Sequence, residues 1–120
     1  MHSILVIDDE AEMRVMLQET LSAAGYDVTA ASDGQEAASL SRSHPPELVI
    51  TDIYMPNKDG LEVIMEMRAA FPATRIIAMS GQVTQRNMLP AASVLGAVRT
   101  LPKPFLPAEL LALVEEVLAA

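Results

Sequence analysis

Short runs of apolar residues recur along the chain, and turn-forming or charged residues bound each of them. The runs are residues 4–7, 28–31, 48–51, 75–79 and 98–101. Short runs that are almost entirely apolar are typical of strands whose two faces are both covered. The pattern therefore predicts five strands, separated by stretches that are long enough to form helices.

Three of the intervening stretches carry apolar residues at helical spacing. A fourth, residues 33–43, predicts a weaker helix that ends before Pro45, and Pro107 suits the first turn of the last helix. The alternation of helices with apolar strands predicts a parallel sheet covered on both faces, in a three-layer α/β domain. The apolar helix positions are Met13, Met16, Leu17, Leu21 and Ala24 in the first, Leu61, Ile64, Met67 and Phe71 in the third, and Leu110, Leu111, Val114, Val117 and Leu118 in the last.

Length and composition restrict the possible functions. A chain of 120 residues fits one domain, so we expect residues 1–120 to fold as a single unit. Its formal net charge of -8 would repel the phosphate backbone of nucleic acids, so direct nucleic-acid binding is not expected. The absence of cysteine excludes a disulfide framework, a zinc-thiolate site and thiol catalysis. The first apolar run is too short for a signal peptide or a spanning helix, so we expect no membrane insertion.

Polar residues collect where the predicted strands end. The carboxyl ends of parallel strands lie at one end of the sheet, and ligands of such sheets bind there, where the strand order reverses. We therefore expect the functional site at this end. The residues that follow the first, third, fourth and fifth strands are, in that order, Asp8-Asp9-Glu10, Asp52, Ser80-Gly81 and Lys103-Pro104.

These residues suggest phosphoryl transfer. Converging carboxylates would repel one another and raise at least one pKa, which predicts a hard divalent cation, and Mg²⁺ fits best because it needs only one or two carboxylates. Asp52 could then be the nucleophile, while Lys103 and the Ser80 hydroxyl stabilise charge on the transferring oxygens. Each residue alone has a simpler structural explanation, such as a helix cap or a turn. Their common position favours function.

Three segments resemble the response regulator receiver domains of two-component signalling. They are Ile-Leu-Val-Ile-Asp-Asp-Glu at 4–10, Thr-Asp-Ile-Tyr-Met-Pro at 51–56 and Leu-Pro-Lys-Pro-Phe at 101–105. Residues 78–81 and 57–61 are similar to the hydroxyl motif and to the loop before the third helix of that family, so the resemblance covers the whole chain. It implies a flavodoxin-like, doubly wound sheet of five parallel strands in the order 2-1-3-4-5, with helices on both faces.

The resemblance also implies a role for each candidate residue. Asp52 would be the phosphoacceptor, Lys103 and Ser80 would contact the phosphoryl group, and the Lys103–Pro104 peptide bond would be cis. Mg²⁺ would be the cofactor. Its ligands would be Asp8, Asp9, Asp52 and the backbone carbonyl of Tyr54.

A receiver domain would act as a phosphorylation-controlled switch rather than as an enzyme, apart from its own phosphorylation and dephosphorylation. The donor would be a histidine kinase or a phosphotransfer protein, and output would pass to an unknown downstream protein. Because the chain starts just before the first strand and ends just after the last helix, we expect a stand-alone regulator, located in the cytoplasm.

Two positions depart from the family pattern. Thr100 stands three residues before Lys103, where receiver domains usually carry an aromatic ring. Pro90 falls in the interval expected for a helix between the fourth and fifth strands, where a proline would remove a hydrogen bond. We therefore expect an unusual output face, with the acceptor chemistry unchanged.

Two other functions are compatible with an α/β fold of this type. A Mg²⁺-dependent phosphohydrolase with an aspartate nucleophile would want a second Asp two residues after Asp52, where this chain has Tyr54. A flavin or nucleotide binder should have a glycine- or hydroxyl-rich loop after the first strand, where this chain has Asp8, Asp9 and Glu10. Both alternatives are therefore weaker than the receiver domain.

Overall fold

The computed structural model describes residues 1–53, 60–80 and 96–119. Strands and helices alternate in these ranges, as the apolar pattern predicts, and none of these helices is long and apolar enough to cross a membrane. The strands are β1 (Ser3–Ile7), β2 (Asp27–Ala31), β3 (Leu48–Asp52), β4 (Arg75–Ser80) and β5 (Arg99–Pro102). The helices are α1 (Ala11–Ala23), α2 (Gly34–Ser43), α3 (Gly60–Ala70) and α4 (Pro107–Ala119).

The five strands form one parallel sheet in the order β2-β1-β3-β4-β5. This confirms the predicted flavodoxin-like order. The chain passes from β1 to β2 on one side and then returns to place β3 on the other side of β1. Ile7 at the end of β1 consequently pairs with both Ala31 of β2 and Thr51 of β3. The strand order therefore reverses between β1 and β3, where such folds bind ligands.

Each face of the sheet carries its own hydrophobic core, because successive side chains of a strand point to opposite faces. Helices α2 and α3 cover one face and helices α1 and α4 cover the other. The first core contains Leu5, Ile7, Val49, Ile53, Ile76 and Ala78 of the strand segments, with Ala37, Val63, Ile64 and Met67 of the helices. The second contains Ile4, Val6, Leu48, Ile50, Ile77, Met79 and Leu101, with Leu17, Leu21, Leu110, Val114 and Val117.

The helix boundaries differ from the predicted ones by small amounts. Asp33 precedes α2 as its N-cap, and its side chain accepts a hydrogen bond from the Glu36 backbone N–H at 2.9 Å. Ala24 is exposed just beyond α1, so its predicted place on the buried face is wrong. Gly25 follows with a φ of 97°, a left-handed conformation that glycine adopts readily. Pro90, and with it the prediction about the helix that precedes β5, lies outside the described residues.

A close backbone approach joins the end of β3 to the start of α3. The Gly60 N–H donates a hydrogen bond to the Ile53 carbonyl at 2.7 Å. A Cβ at residue 60 would overlap the backbone carbonyl oxygen of Asp52. Only glycine lets the first turn of α3 lie this close to Asp52, so Gly60 helps to determine where the end of β3 stands.

Candidate functional site

Five polar residues meet at the carboxyl end of the sheet, and we call them the carboxyl-end cluster: Asp8, Glu10, Asp52, Ser80 and Lys103. Four of them are buried, since Asp8 and Ser80 are 0%, Asp52 is 4% and Lys103 is 8% exposed. Glu10 is exposed. Buried charges are rare in proteins unless they are paired, which makes this cluster the leading candidate for function among the residues described.

The strand order brings these residues together. β1 and β3 are neighbours, so Asp8, directly after β1, and Asp52, the last residue of β3, stand at the ends of adjacent strands. Lys103 follows β5, two strands away from β3 and about 10 Å from it across the sheet. The Lys103 backbone N–H donates to the Ser80 carbonyl at 2.7 Å, which places the lysine beside the end of β4. Its long side chain then crosses that end to reach Asp52 and Asp8.

The Lys103 ammonium group lies between two buried carboxylates. It donates hydrogen bonds to Asp8 Oδ2 at 2.8 Å and to Asp52 Oδ2 at 3.0 Å. Burial alone would lower the pKa of Lys103, but the Asp8 and Asp52 carboxylates outweigh this effect and raise the pKa above its ordinary value. Lys103 is therefore charged at neutral pH and supplies the positive charge that the converging carboxylates require.

Three carboxylates are close enough to share a metal ion. Oxygens of Asp8, Glu10 and Asp52 all lie within 4.8 Å of one another. Hard oxygen donors of this kind suit Mg²⁺, so the donor chemistry fits the predicted cofactor. Asp9, the second predicted ligand, is exposed and is not a member of this group, and its role stays a prediction. Tyr54, whose carbonyl was the fourth predicted ligand, lies outside the described residues.

The Ser80 hydroxyl has unused hydrogen-bonding capacity. Its Oγ is buried and finds no partner among the residues that the structure describes, a property that only Ser41 Oγ shares in those ranges. A buried hydroxyl without a partner is costly, so an oxygen of a bound group beside Ser80 would be stabilised. This fits the predicted contact between Ser80 and a phosphoryl group, which stays a prediction.

Asp8 is held on every side. Its N–H donates to the Ala31 carbonyl at 3.2 Å, and its Oδ1 accepts from the Glu10 N–H at 2.9 Å. Its backbone carbonyl accepts a hydrogen bond from Arg14 Nη1 at 2.7 Å. The sequence did not identify Arg14 as part of the site. The only sequence feature that pointed to Arg14 was its position, as a basic residue early in the helix that follows the acidic run. An ordinary exposed arginine would occupy the same kind of position.

Two further predictions concern the segment around Lys103. The Lys103–Pro104 peptide bond is cis, as predicted. Thr100 is half-buried in β5 and pairs with Ala78 of β4. It thus lies on the edge strand of the sheet, close in sequence to the lysine, and its effect on output stays a prediction.

Comparison with protein families gives a match over nearly the whole chain. A family model described as "Response regulator receiver domain" matches residues 4–115. The matched region contains all five members of the carboxyl-end cluster. The segments that suggested the resemblance therefore belong to one continuous match.

Curated relatives and solved structures agree with this match. The chain is 42% identical over 117 residues to the "Probable transcriptional regulator ycf27" of Porphyridium aerugineum, covering 96% of this chain and 47% of that protein. It is 36% identical over 118 residues to the "Alkaline phosphatase synthesis transcriptional regulatory protein PhoP" of Bacillus subtilis, covering 96% of this chain and 48% of that protein. The chain thus spans about half the length of these curated relatives.

A structural neighbour of similar size is the chemotaxis protein CheY4 of Vibrio cholerae. Its structure matches with a TM-score of 0.89 and 31% sequence identity, and the alignment covers 98% of both chains. The alignment over nearly the whole of both chains shows that they share one fold. It also agrees with the strand order described above.

Proposed function

Because the chain belongs to the response regulator receiver domain family, we propose that it receives a phosphoryl group on Asp52 and so acts as a signalling switch. One observation carries the assignment to Asp52. Its carboxylate is buried at the point where the strand order reverses, 3.0 Å from the ammonium group of Lys103. A carboxylate oxygen held there beside the charged lysine can act as the nucleophile that forms a covalent phospho-intermediate.

The proposed reaction is a transfer between two nucleophiles. One Asp52 carboxylate oxygen attacks the phosphorus of a phosphohistidine, so that a P–O bond forms and the P–N bond to the donor breaks. The bonding electrons leave with the histidine nitrogen, which then takes up a proton. Hydrolysis of the aspartyl phosphate by water, with release of inorganic phosphate and regeneration of the carboxylate, resets the switch.

Asp8 and Asp52, with Glu10 or Asp9, would hold Mg²⁺ beside the acceptor. When bound, the ion would neutralise negative charge on the incoming phosphoryl oxygens. The residues of the chain account for the remaining stabilisation. Lys103 would donate a hydrogen bond to one phosphoryl oxygen, and the Ser80 hydroxyl, which has no partner among the described residues, would donate to another.

The proposal includes the surroundings of the switch. The donor would be a histidine kinase or a phosphotransfer protein, and the target would be another protein or a further segment of a longer polypeptide. A cytoplasmic location belongs to the same proposal, since a donor and a target of this kind would be met there. No external substrate is turned over, so the domain would not be an enzyme. The family match favours neither the phosphohydrolase nor the flavin or nucleotide binder.

The test is phosphorylation with a small donor. The wild-type protein is incubated with acetyl phosphate, with and without Mg²⁺, and its intact mass is measured. We expect one added phosphoryl group that is labile in base. Its addition should require Mg²⁺, so a chelator added beforehand should prevent it.

The test variant is Asp52→Asn, which preserves the shape of the side chain and removes the nucleophilic oxygen. Asp33→Asn is its matched control. Asp52→Asn should remain unmodified under the same conditions, while Asp33→Asn, at a helix N-cap remote in sequence from the cluster, should be labelled like the wild type. Equal labelling of Asp52→Asn and wild type would show that Asp52 is not the acceptor.

A further inference from the structure

Beyond these residues, we propose that Arg14 is a positioning residue for the metal-binding loop, acting through the backbone carbonyl of Asp8. The proposal rests on the proposed function, because it concerns Mg²⁺ binding at the same cluster. Arg14 lies on α1, is half-buried, and donates a hydrogen bond from Nη1 to the Asp8 carbonyl at 2.7 Å. Charge-assisted bonds to a backbone oxygen are stronger than neutral ones, so this contact can fix a loop.

The contact acts on the residue that anchors the cluster. Asp8 is bound to Ala31 through its N–H, to Glu10 through Oδ1 and to Lys103 through Oδ2. The remaining polar group of Asp8 is its backbone carbonyl, which accepts the hydrogen bond from Arg14. The direction of the Asp8 carbonyl sets the orientation of the next peptide plane, and hence the path of Asp9 and Glu10. Arg14 thereby controls where both candidate carboxylates of the loop point.

The loop between β1 and α1 lacks the side-chain N-cap that usually fixes such a loop to the helix that follows it. Glu10 is the N-cap residue of α1, but its side chain makes no capping hydrogen bond. Ser, Thr, Asp or Asn at an N-cap would tie the loop to the first turn of the helix, whereas Glu is not among the preferred residues. Arg14 supplies a substitute, because its side chain links the first turns of α1 back to the end of β1. It does so without neutralising the carboxylates, since Arg14 forms no ion pair within the described part of the chain.

Residues that orient metal ligands without touching the metal typically change metal affinity by 10- to 100-fold when they are replaced. Arg14→Met is the sharpest variant because methionine keeps the apolar stem and the helix propensity and removes the guanidinium group. Arg42→Met is its matched control. Arg42 is also a helical arginine, but it is exposed near the end of α2, so the two variants change the net charge equally.

The experiment measures the Mg²⁺ dissociation constant by NMR titration, without any phosphodonor, and the free energy of unfolding without metal. We expect Arg14→Met to weaken Mg²⁺ binding at least about 10-fold. Arg42→Met should bind as the wild type does. Arg14→Lys keeps the charge but loses the planar donor group, so it should remain closer to Arg14→Met than to wild type. If Arg14→Met does not fold, Arg14→Gln is measured in its place.

Two results would overturn the proposal. Equal Mg²⁺ affinity in Arg14→Met and wild type would show that the contact does not position the ligands. Full affinity in Arg14→Lys with weak affinity in Arg14→Met would show that charge alone matters. Failure of the proposed function would look different, because the wild type itself would then take up no phosphoryl group or bind no Mg²⁺. If the wild type binds no Mg²⁺, the positioning role of Arg14 is also refuted.

Discussion

Pairs of ionisable side chains lie at both ends of the sheet, but their surroundings differ. At the amino end, His2 Nδ1 lies 2.6 Å from Glu47 Oε2 with the two side chains 51% and 48% exposed. Arg99 and Glu116 form a second pair there, at 2.6 Å, with 52% and 58% exposed. At the carboxyl end, Lys103 meets Asp8 at 2.8 Å, and these side chains are only 10% and 0% exposed.

The pair distances are therefore similar, and exposure is what separates the two ends. Water solvates the amino-end side chains whether or not they are paired, so pairing there contributes little to stability. The buried charges of the carboxyl end have given up their hydration, and each depends on its partner. A protein keeps such an arrangement where it serves chemistry, which is why the carboxyl end carries the proposed function.

The largest expected effect is the loss of the buried cation. Lys103→Met leaves the Asp8 and Asp52 carboxylates facing each other without their shared partner. We expect the free energy of unfolding to fall by about 3 kcal/mol at neutral pH without divalent ions. Urea unfolding measures it, with Arg42→Met as a control for the change in net charge. A loss no greater than that of Arg42→Met would remove the contrast between the two ends.

The pH dependence of this effect has a defined sign. The pKa of Lys103 is raised in the folded state above its ordinary value of 10.5. Its stabilising contribution is therefore complete below that ordinary value, and it is lost as the pH rises through the folded pKa. The difference in stability between wild type and Lys103→Met should be constant around neutral pH and should shrink in strong alkali.

The next largest effect is expected when two glycines are replaced, one near the carboxyl end and one near the amino end of the sheet. In Gly60→Ala the new methyl group would overlap the Asp52 carbonyl, so α3 or the end of β3 must shift, at a cost of about 2 kcal/mol. Gly25 precedes β2 and has open space around it, so Gly25→Ala should cost only the backbone strain of its φ of 97°, about 1 kcal/mol. Thermal unfolding measures both costs.

The two glycine variants should also differ at the site. Gly60→Ala should reduce phosphorylation by acetyl phosphate, because it moves Asp52, the proposed acceptor. Gly25→Ala should leave the phosphorylation rate unchanged. Equal rates in both variants would indicate that the contact at Gly60 serves the fold alone.

A smaller effect is expected for the exposed pair of β5 and α4. Arg99→Ala should change the free energy of unfolding by at most about 0.5 kcal/mol, because both side chains of the Arg99–Glu116 pair are hydrated. The change should also decrease at high salt, which screens exposed charges. A double-mutant cycle with Glu116→Ala isolates the pair, and a coupling comparable to that of Lys103 with Asp8 would contradict the comparison.

The smallest effect concerns Glu47. Its hydrogen bond with His2 is the main cause that lowers its pKa below the ordinary value of 4.5. Its contribution is therefore present above that value, and it is lost as the pH falls through the lowered pKa. Glu47→Gln should slightly reduce the melting temperature at about pH 6 and leave it unchanged at about pH 2. A larger change in melting temperature at about pH 2 than at about pH 6 would contradict the stabilising role of the ionised Glu47 carboxylate.

Much of this architecture could be predicted from the sequence because it depends on apolar periodicity. Runs such as residues 48–51 are buried on both faces, and that requires a parallel sheet with helices on each side. The grouping of Asp8, Asp52, Ser80 and Lys103 followed from the same logic, since each residue lies at or just after the carboxyl end of a strand. Boundaries were less certain where a capping residue such as Asp33 looks the same as the first residue of a helix.

The details of the site depend on contacts that leave no pattern in the sequence. The bond from Arg14 to the Asp8 carbonyl involves a backbone atom, which every residue possesses. The place of Glu10 beside Asp8 and Asp52 depends on the turn between β1 and α1, and the sequence led to its neighbour Asp9 as the predicted ligand. The role of Gly60 could not be predicted, because it depends on the close approach of α3 to Asp52, and the sequence does not show this approach.

The measurement that most directly tests the central claim locates the phosphoryl group within the chain. Wild-type protein phosphorylated by acetyl phosphate with Mg²⁺ is reduced with borohydride, which converts an aspartyl phosphate into homoserine, and is then digested and sequenced by mass spectrometry. The account predicts homoserine at position 52 and unmodified aspartate at positions 8 and 9. Homoserine at either of those positions with residue 52 intact would contradict it.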